Sequence, residues 1–219
     1  MDYATFLRRF GASVRTKNIV RPSDDPDDPK KINKRPHRLP DSSEIPKEFI
    51  RLDPWEAEYL FLLGQRSRQG IVETGRFHGG STFVLSCSND KVPIWSIDID
   101  PKDDDHLLSI LASKNIGSNV ELIIGDSQNV RYGQIKQFDL LFIDGDHSYE
   151  GCMADLKNWF PLLSRGGHVI IHDSYYGQPV MDAVNDFTLA APNQMIIPAF
   201  RCSSHWWHHA GSMAHFIKL

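Results

Sequence analysis

The chain has 219 residues, of which 41% are hydrophobic and 24% charged, and carries a formal net charge of −4. Those values belong to an ordinary globular chain with one sizeable core, and they exclude a fibrous or wholly disordered protein. The acidic balance argues against duplex nucleic acid as a partner, because such binders need a basic face to neutralise phosphates.

No stretch of 18 apolar residues occurs, so no membrane partner is expected, and the N-terminus MDYATFLRRFGASVRTK has no apolar run of signal-peptide length. Cys87, Cys152 and Cys202 are far apart and lack C-x-x-C spacing. A cytoplasmic, reducing location is the simplest expectation.

Residues 1–50 read as an extended N-terminal arm or lid, because from Asn18 onward Pro, Asp, Lys and Arg dominate and too few apolar residues remain to form a core. The segment 51–219 reads as one domain. It opens with DPWEAEYLFLLGQR (53–66), where Asp53 and Pro54 form a helix start and Leu60, Phe61 and Leu63 recur near helical spacing.

From Gly70 short apolar runs alternate with amphipathic stretches. GIVETG (70–75), PIWSIDID (93–100), VELIIGD (120–126), FDLLFIDG (138–145) and HVIIHD (168–173) predict parallel strands buried on both faces. Between and after them, helices are predicted over 80–88, 103–115, 127–136, 149–163 and 178–190. MIIPAFR and GSMAHFIKL then predict a closing antiparallel hairpin joined by the His- and Trp-rich segment 203–209. The fold class is therefore α/β, a Rossmann-like doubly wound αβα sandwich with a mostly parallel seven-stranded sheet.

In such a sheet, ligands bind beyond the carboxyl ends of the strands, and acidic residues collect there. In VETGRFHGGST, Glu73 closes the first strand, Gly75 and Gly79 open a turn, and Ser81 starts the next helix. The spacing is not the G-x-G-x-x-G of dinucleotide sites, and a carboxylate before the glycines suits an ammonium-bearing ligand better than a pyrophosphate. A plain structural turn stays open. Asp98, 23 residues after Gly75, stands where a carboxylate accepts the hydrogen bonds of a ribose diol, with Asp100 as its nearest rival. Asp126 and Ser127 follow the third strand at the height of an adenine edge, or else cap a helix.

VETG-x-x-x-G, SIDID, GDS, FDLLFIDGDHSY and LLSRGGHVIIHDSY, in this order, resemble the class I S-adenosylmethionine-dependent methyltransferases. The likeness extends to their small-molecule O-methyltransferase branch of macrocin and catechol type, and to cephalosporin hydroxylase-like proteins. It covers about residues 53–219. It implies S-adenosylmethionine as cofactor, with Glu73, Gly75, Gly79 and Ser81 at the methionine moiety, Asp98 at the ribose, Asp126 and Ser127 at the adenine, and Asp144 beside the donor.

The resemblance also implies a divalent cation, Mg²⁺ or Mn²⁺, held by Asp144 and Asp173. His172 is the candidate third ligand, although neither it nor Ser174 follows the branch's commonest pattern. Such an ion lowers the pKa of an acceptor hydroxyl, and Asp146 or His147 is positioned to take the proton as catalytic base. Both also fit as caps of the helix near Tyr149. The expected partner is a small-molecule or sugar acceptor, with homo-oligomerisation left open. A nicotinamide-dependent oxidoreductase and a non-catalytic ligand-binding protein are the competing readings. His205, His208 and His209 read as part of an aromatic loop rather than a zinc site.

Overall fold

The computed structural model describes residues 49–129, 133–174, 178–196 and 212–219. In chain order the elements are α1 (Pro54–Arg66), β1 (Ile71–Thr74), α2 (Gly80–Ser88), β2 (Ile94–Asp98), α3 (Asp104–Ser113), β3 (Val120–Ile124), β4 (Phe138–Ile143), α4 (Tyr149–Trp159), β5 (Leu163–Ile171), α5 (Pro179–Ala190), β6 (Met195–Ile196) and β7 (Ala214–Lys218). The sheet has seven strands in the order β3-β2-β1-β4-β5-β7-β6. Strands β1 to β5 run parallel, and β7 lies antiparallel to both β5 and β6. The predicted doubly wound sheet and its antiparallel closing pair are both present.

Alternation along β4 shows why the parallel strands read as unbroken apolar runs. Leu140 and Phe142 face the core shared with α1, α2 and α3, whereas Leu141 and Ile143 face the core that contains Leu156 and Trp159 of α4 and Ala183 of α5. Both faces are covered, so both sets of side chains are apolar. Phe49 and Ile50 are buried in the first core, so the packed domain reaches at least to residue 49. The rest of the expected arm lies outside the described residues.

Three elements differ from the sequence reading. The helix expected over 127–136 is absent among the described residues there, which form turns. Asp126 accepts from the Gln128 amide, and the Asn129 side chain donates to the same carboxylate, a local Asx arrangement that competes with helix. The helix expected to run to 163 stops at Trp159. Pro161 turns Phe160–Leu162 into a 3-10 turn, and β5 begins at Leu163. Strand β6 spans two residues, Met195–Ile196. Cys87 and Cys152 are both buried, and Cys202 lies outside the described residues. Among the described residues no helix is long and apolar enough to cross a membrane.

Chain order sets where a ligand fits. The strand β1 pairs with β2 on one side and β4 on the other, so the chain leaves β1 in one direction and returns to its opposite edge. At that reversal the loops after β1 and β4 diverge and open a crevice at the carboxyl end of the sheet.

Candidate functional site

The crevice is a cavity of 740 Å³ lined by residues that follow β1, β2, β3, β4 and β5, together with Phe49, Arg51 and Leu52 ahead of α1. Its volume is that of a pocket for a drug-sized ligand.

One half is built on glycine geometry. Gly75 leaves β1 with φ of 82°. A Cβ there would sit 2.2 Å from the Asp144 carbonyl oxygen, so the β1 and β4 loops approach as closely as backbones can. Gly79, with φ of 86°, turns the chain into α2, where a Cβ would meet Leu107 at 2.5 Å. Gly75 and Ser81 line the cavity, whereas Gly79 acts one step behind, through the turn.

Asp98 holds this turn in place. Its Oδ2 accepts from the backbone N–H groups of Arg76 and Phe77 at 2.8 and 2.9 Å, and its Oδ1 accepts from Asp100 N at 2.8 Å. The carboxylate faces the cavity and shapes its wall at the same time. Glu73 is placed differently from a direct ligand contact. It is fully buried behind the turn, where Oε2 accepts from the hydroxyls of Thr82 and Ser96, both at 2.5 Å. Burial pushes its carboxyl up, against the opposing pull of hydroxyls and of Arg76.

Arg76 is a site residue that the sequence reading left without a role. Its side chain is 2% exposed and runs under the turn, giving a bidentate pair with Asp104 (2.7 and 2.6 Å) and bonds to the carbonyls of Ser96 and Ile123. It ties the β1 loop to β2, β3 and the start of α3. An arginine inside a glycine turn is usually solvated, so only the Asp at the start of α3 hinted at this pairing.

The loop after β3 brings Asp126, Ser127 and Gln128 to the cavity. The Ser127 carbonyl accepts from Trp159 Nε1 at 2.9 Å and Asn158 Nδ2 at 2.7 Å, which fixes the loop on the end of α4. The Asn129 side chain and the Gln128 amide hold the Asp126 carboxyl below the usual range.

Four titratable side chains meet on the other half. Asp144 Oδ1 lies 3.0 Å from His172 Nδ1 and 3.5 Å from His147 Nε2, while Asp173 Oδ2 lies 3.5 Å from each of His172 Nδ1 and His147 Nδ1. Asp144, His147 and Asp173 offer ligand atoms within 4.8 Å of one another, a spacing that fits a cation. Asp173 adopts φ of 54°, the left-handed region, at the end of β5. For a non-glycine residue this is uncommon, and the Asp173 carboxylate at this point meets both His172 and His147.

Burial works against the charged form of each partner, and proximity overrides it. Burial alone would lower His172, yet Asp144, Asp173 and Glu56 hold it well above the usual imidazole value. Asp144 is in turn held below the carboxylate range, because His172 and His147 outweigh the burial that would raise it. His147 is raised by its bond to Asp144.

Asp146 is committed elsewhere. Its Oδ1 accepts from Ser148 N at 2.9 Å, Gln128 Nε2 approaches Oδ2 at 3.3 Å, and Ser148 Oγ caps α4 by accepting from Gly151 N. It stabilises the turn at the cavity's edge, but the cap of α4 is Ser148, not Asp146 or His147 as the capping alternative had it. His205, His208 and His209 lie outside the described residues.

Residues 72–174, the segment that builds most of this cavity, match a family model described as a methyltransferase domain. An uncharacterized protein of Acanthamoeba polyphaga mimivirus is 35% identical over 127 residues, covering 52% of this chain and 57% of the viral protein. The chain thus matches little more than half the length of that relative. Among solved structures, the O-methyltransferase NovP superposes with a TM-score of 0.60 at 16% identity, over 75% of this chain and 80% of that one. An O-methyltransferase from Bacillus cereus, solved with SAH, gives 0.58 at 22% identity, over 77% and 81%. Similarity at that identity shows a shared fold.

Proposed function

We propose, from the premise that residues 72–174 form a class I methyltransferase domain, that the chain is an S-adenosylmethionine-dependent O-methyltransferase acting with a divalent cation on a hydroxyl of a sugar, glycoside or other small metabolite. The observation that carries this reading is the division of one cavity into two halves. A glycine turn with Asp98 and the Asp126–Ser127 loop faces an acid and imidazole cluster that includes Asp144, His147 and Asp173.

The donor half fits the methyl donor on chemical grounds. Without a Cβ at Gly75 the turn after β1 packs directly on the Asp144 backbone, and Asp98 faces the cavity with acceptor capacity beyond its three amide bonds. Ser81 faces the amino-acid end, and Asp126 with Ser127 faces the base. Glu73 acts from behind, fixing α2 on β2 through Thr82 and Ser96.

The cluster half fits a divalent cation, because two carboxylates converge and the buried Nδ1 of His172 has no hydrogen-bond partner of good geometry. When bound, the sulfonium supplies an electrophilic methyl group and the cation lowers the pKa of the hydroxyl that it coordinates. The protein's own task is orientation: Asp144 and Asp173 fix the acceptor side against the Gly75 turn, and His147, 53% exposed at the cavity, accepts the hydroxyl proton at a ring nitrogen.

Transfer of labelled methyl from S-adenosylmethionine to a panel of sugars, glycosides and phenols tests the reading. The expected result is transfer that EDTA abolishes and Mg²⁺ or Mn²⁺ restores, while donor affinity by calorimetry changes little. Full transfer in excess EDTA would remove the cation from the reading. Absence of donor binding, with or without metal, would remove the methyltransferase itself.

A further inference from the structure

The histidine that faces the carboxylate pair is held from outside residues 72–174. Glu56, in the first turn of α1, is 3% exposed, and four donors converge on its carboxylate. Oε1 accepts from the backbone N–H and the hydroxyl of Ser212, both at 2.8 Å, just ahead of β7. Oε2 accepts from Asp53 N at 2.8 Å, as an N3 glutamate does toward its N-cap, and from His172 Nε2 at 3.1 Å. With both oxygens engaged, the glutamate has one orientation and passes it to the imidazole.

The consequence lies at the other ring nitrogen. A His172 that donates through Nε2 aims Nδ1 at Asp144 Oδ1 (3.0 Å) and Asp173 Oδ2 (3.5 Å). That Nδ1 is buried without a hydrogen-bond partner of good geometry. One nitrogen pointing at two carboxylate oxygens, with the opposite nitrogen bonded to a third carboxylate, is the arrangement that surrounds metal-ligating histidines. His147 differs: its nearest contacts are longer, 3.5 Å from Nε2 to Asp144 and 3.5 Å from Nδ1 to Asp173, and although one of its nitrogens lies within 4.8 Å of both carboxylates, 53% of its side chain is exposed and it lacks the third carboxylate that fixes His172.

We propose that Glu56 is a positioning residue that presents His172 Nδ1 as the nitrogen ligand of the cation held by Asp144 and Asp173. This inference rests on the metal-assisted reading above. A site with two carboxylates and one imidazole takes Mn²⁺ or Fe²⁺ in preference to Mg²⁺, because imidazole suits transition ions and Mg²⁺ favours oxygen alone. The metal site is then completed by α1 and the start of β7, which the domain match leaves out.

The test uses the full chain, Mn²⁺ alone as probe, and pulsed EPR alongside calorimetry. The expected result is one Mn²⁺ site with nitrogen hyperfine coupling that disappears in His172→Ala and persists in His147→Ala. Glu56→Gln should weaken Mn²⁺ about 10- to 100-fold, the range found for residues that orient a ligand. If Glu56→Gln does not fold, the nitrogen signal in the two histidine variants still decides the matter. Coupling that survives His172→Ala, or vanishes in His147→Ala, overturns the assignment, as does Mn²⁺ affinity unchanged in folded Glu56→Gln. S-adenosylmethionine binding measured on the same samples separates the two failures: donor bound without nitrogen coupling sinks this inference alone, and no donor binding sinks the reading beneath it.

Discussion

Two histidines on β5 and its end, four residues apart, sit in opposite electrostatic worlds. His172, just past the strand, faces Asp144, Asp173 and Glu56 and is held well above the usual imidazole value. His168, within the strand, stacks on His215 of β7 with ring centroids 5.1 Å apart, and burial lowers it. His215 is pushed down to about 3 by burial first and by His168 second. It is bonded to His168 Nδ1 at 2.9 Å and to the Tyr59 hydroxyl at 2.6 Å. Burial acts against charge in both regions, so what separates them is partner chemistry. Carboxylates make a cationic or metal-binding imidazole, and neutral partners make a structural one.

Removing the nearer of the two carboxylates that the site histidines share, Asp144, breaks this contrast most severely. Asp144→Asn takes the charge from between His172 and His147 and removes a candidate ligand. Methyl transfer is expected to fall about 100-fold or more, beyond the 10- to 100-fold typical of residues that merely orient a ligand. Donor affinity measured by calorimetry is expected to change much less. Transfer within a few fold of the parent would show that the cluster is a structural ion-pair network and not the reaction centre.

The structural pair gives the next effect, read as stability against pH. His215 has a folded pKa of about 3 against an ordinary 6.5, so between those values the unfolded chain binds the extra proton. The stability due to the neutral ring is fully present above about pH 6.5 and is lost as pH falls toward 3. His215→Gln keeps a polar group beside Tyr59 without an ionisable ring. Its melting temperature is expected to fall less than the parent's between pH 7 and pH 4.5. Asp155, raised to about 6 by burial, titrates in the same window with opposite sign, but both proteins contain it, so it cancels in the comparison. Parallel melting curves would show that the His168–His215 pair carries no proton linkage.

The contrast also explains what could be read from the sequence. Strands and their order were legible, because parallel strands buried on both faces leave unbroken apolar runs such as FDLLFI. Strand-end acids were legible for a related reason: Asp98, Asp126, Asp144 and Asp173 each interrupt or end an apolar run, and all line the cavity. What stayed hidden depends on contacts between residues distant in the chain. Glu56 lies 116 positions from His172, and Arg76 lies 28 from Asp104. Locally Glu56 reads only as the N3 partner of Asp53 in a capping box, and His172 only as a residue at a strand end; that the two bond each other is not visible in either segment. The helix expected over 127–136 is missing among the described residues there for a local cause, since Asp126 and Asn129 close a side-chain turn that the apolar periodicity could not reveal.

Asp98 and Asp100 give the smallest effects and sharpen the comparison, because two carboxylates that both line the cavity differ in partner and exposure. Asp98 accepts from three backbone amides, whereas the Asp100 side chain is 75% exposed and pairs with Lys102. Replacing Asp98 by Ala removes the proposed ribose contact and also frees the Arg76 and Phe77 amides that shape the glycine turn. The expected loss of donor binding is about 1 to 3 kcal/mol, or roughly 5- to 150-fold, with some drop in melting temperature. Asp100→Ala breaks an exposed ion pair, which contributes little. Its donor affinity is expected to stay within about twofold of the parent, in line with surface substitutions generally. Calorimetry with S-adenosylmethionine on both variants decides the assignment: if Asp100→Ala loses more affinity than Asp98→Ala, the ribose is held by the outer carboxylate and Asp98 serves the turn alone.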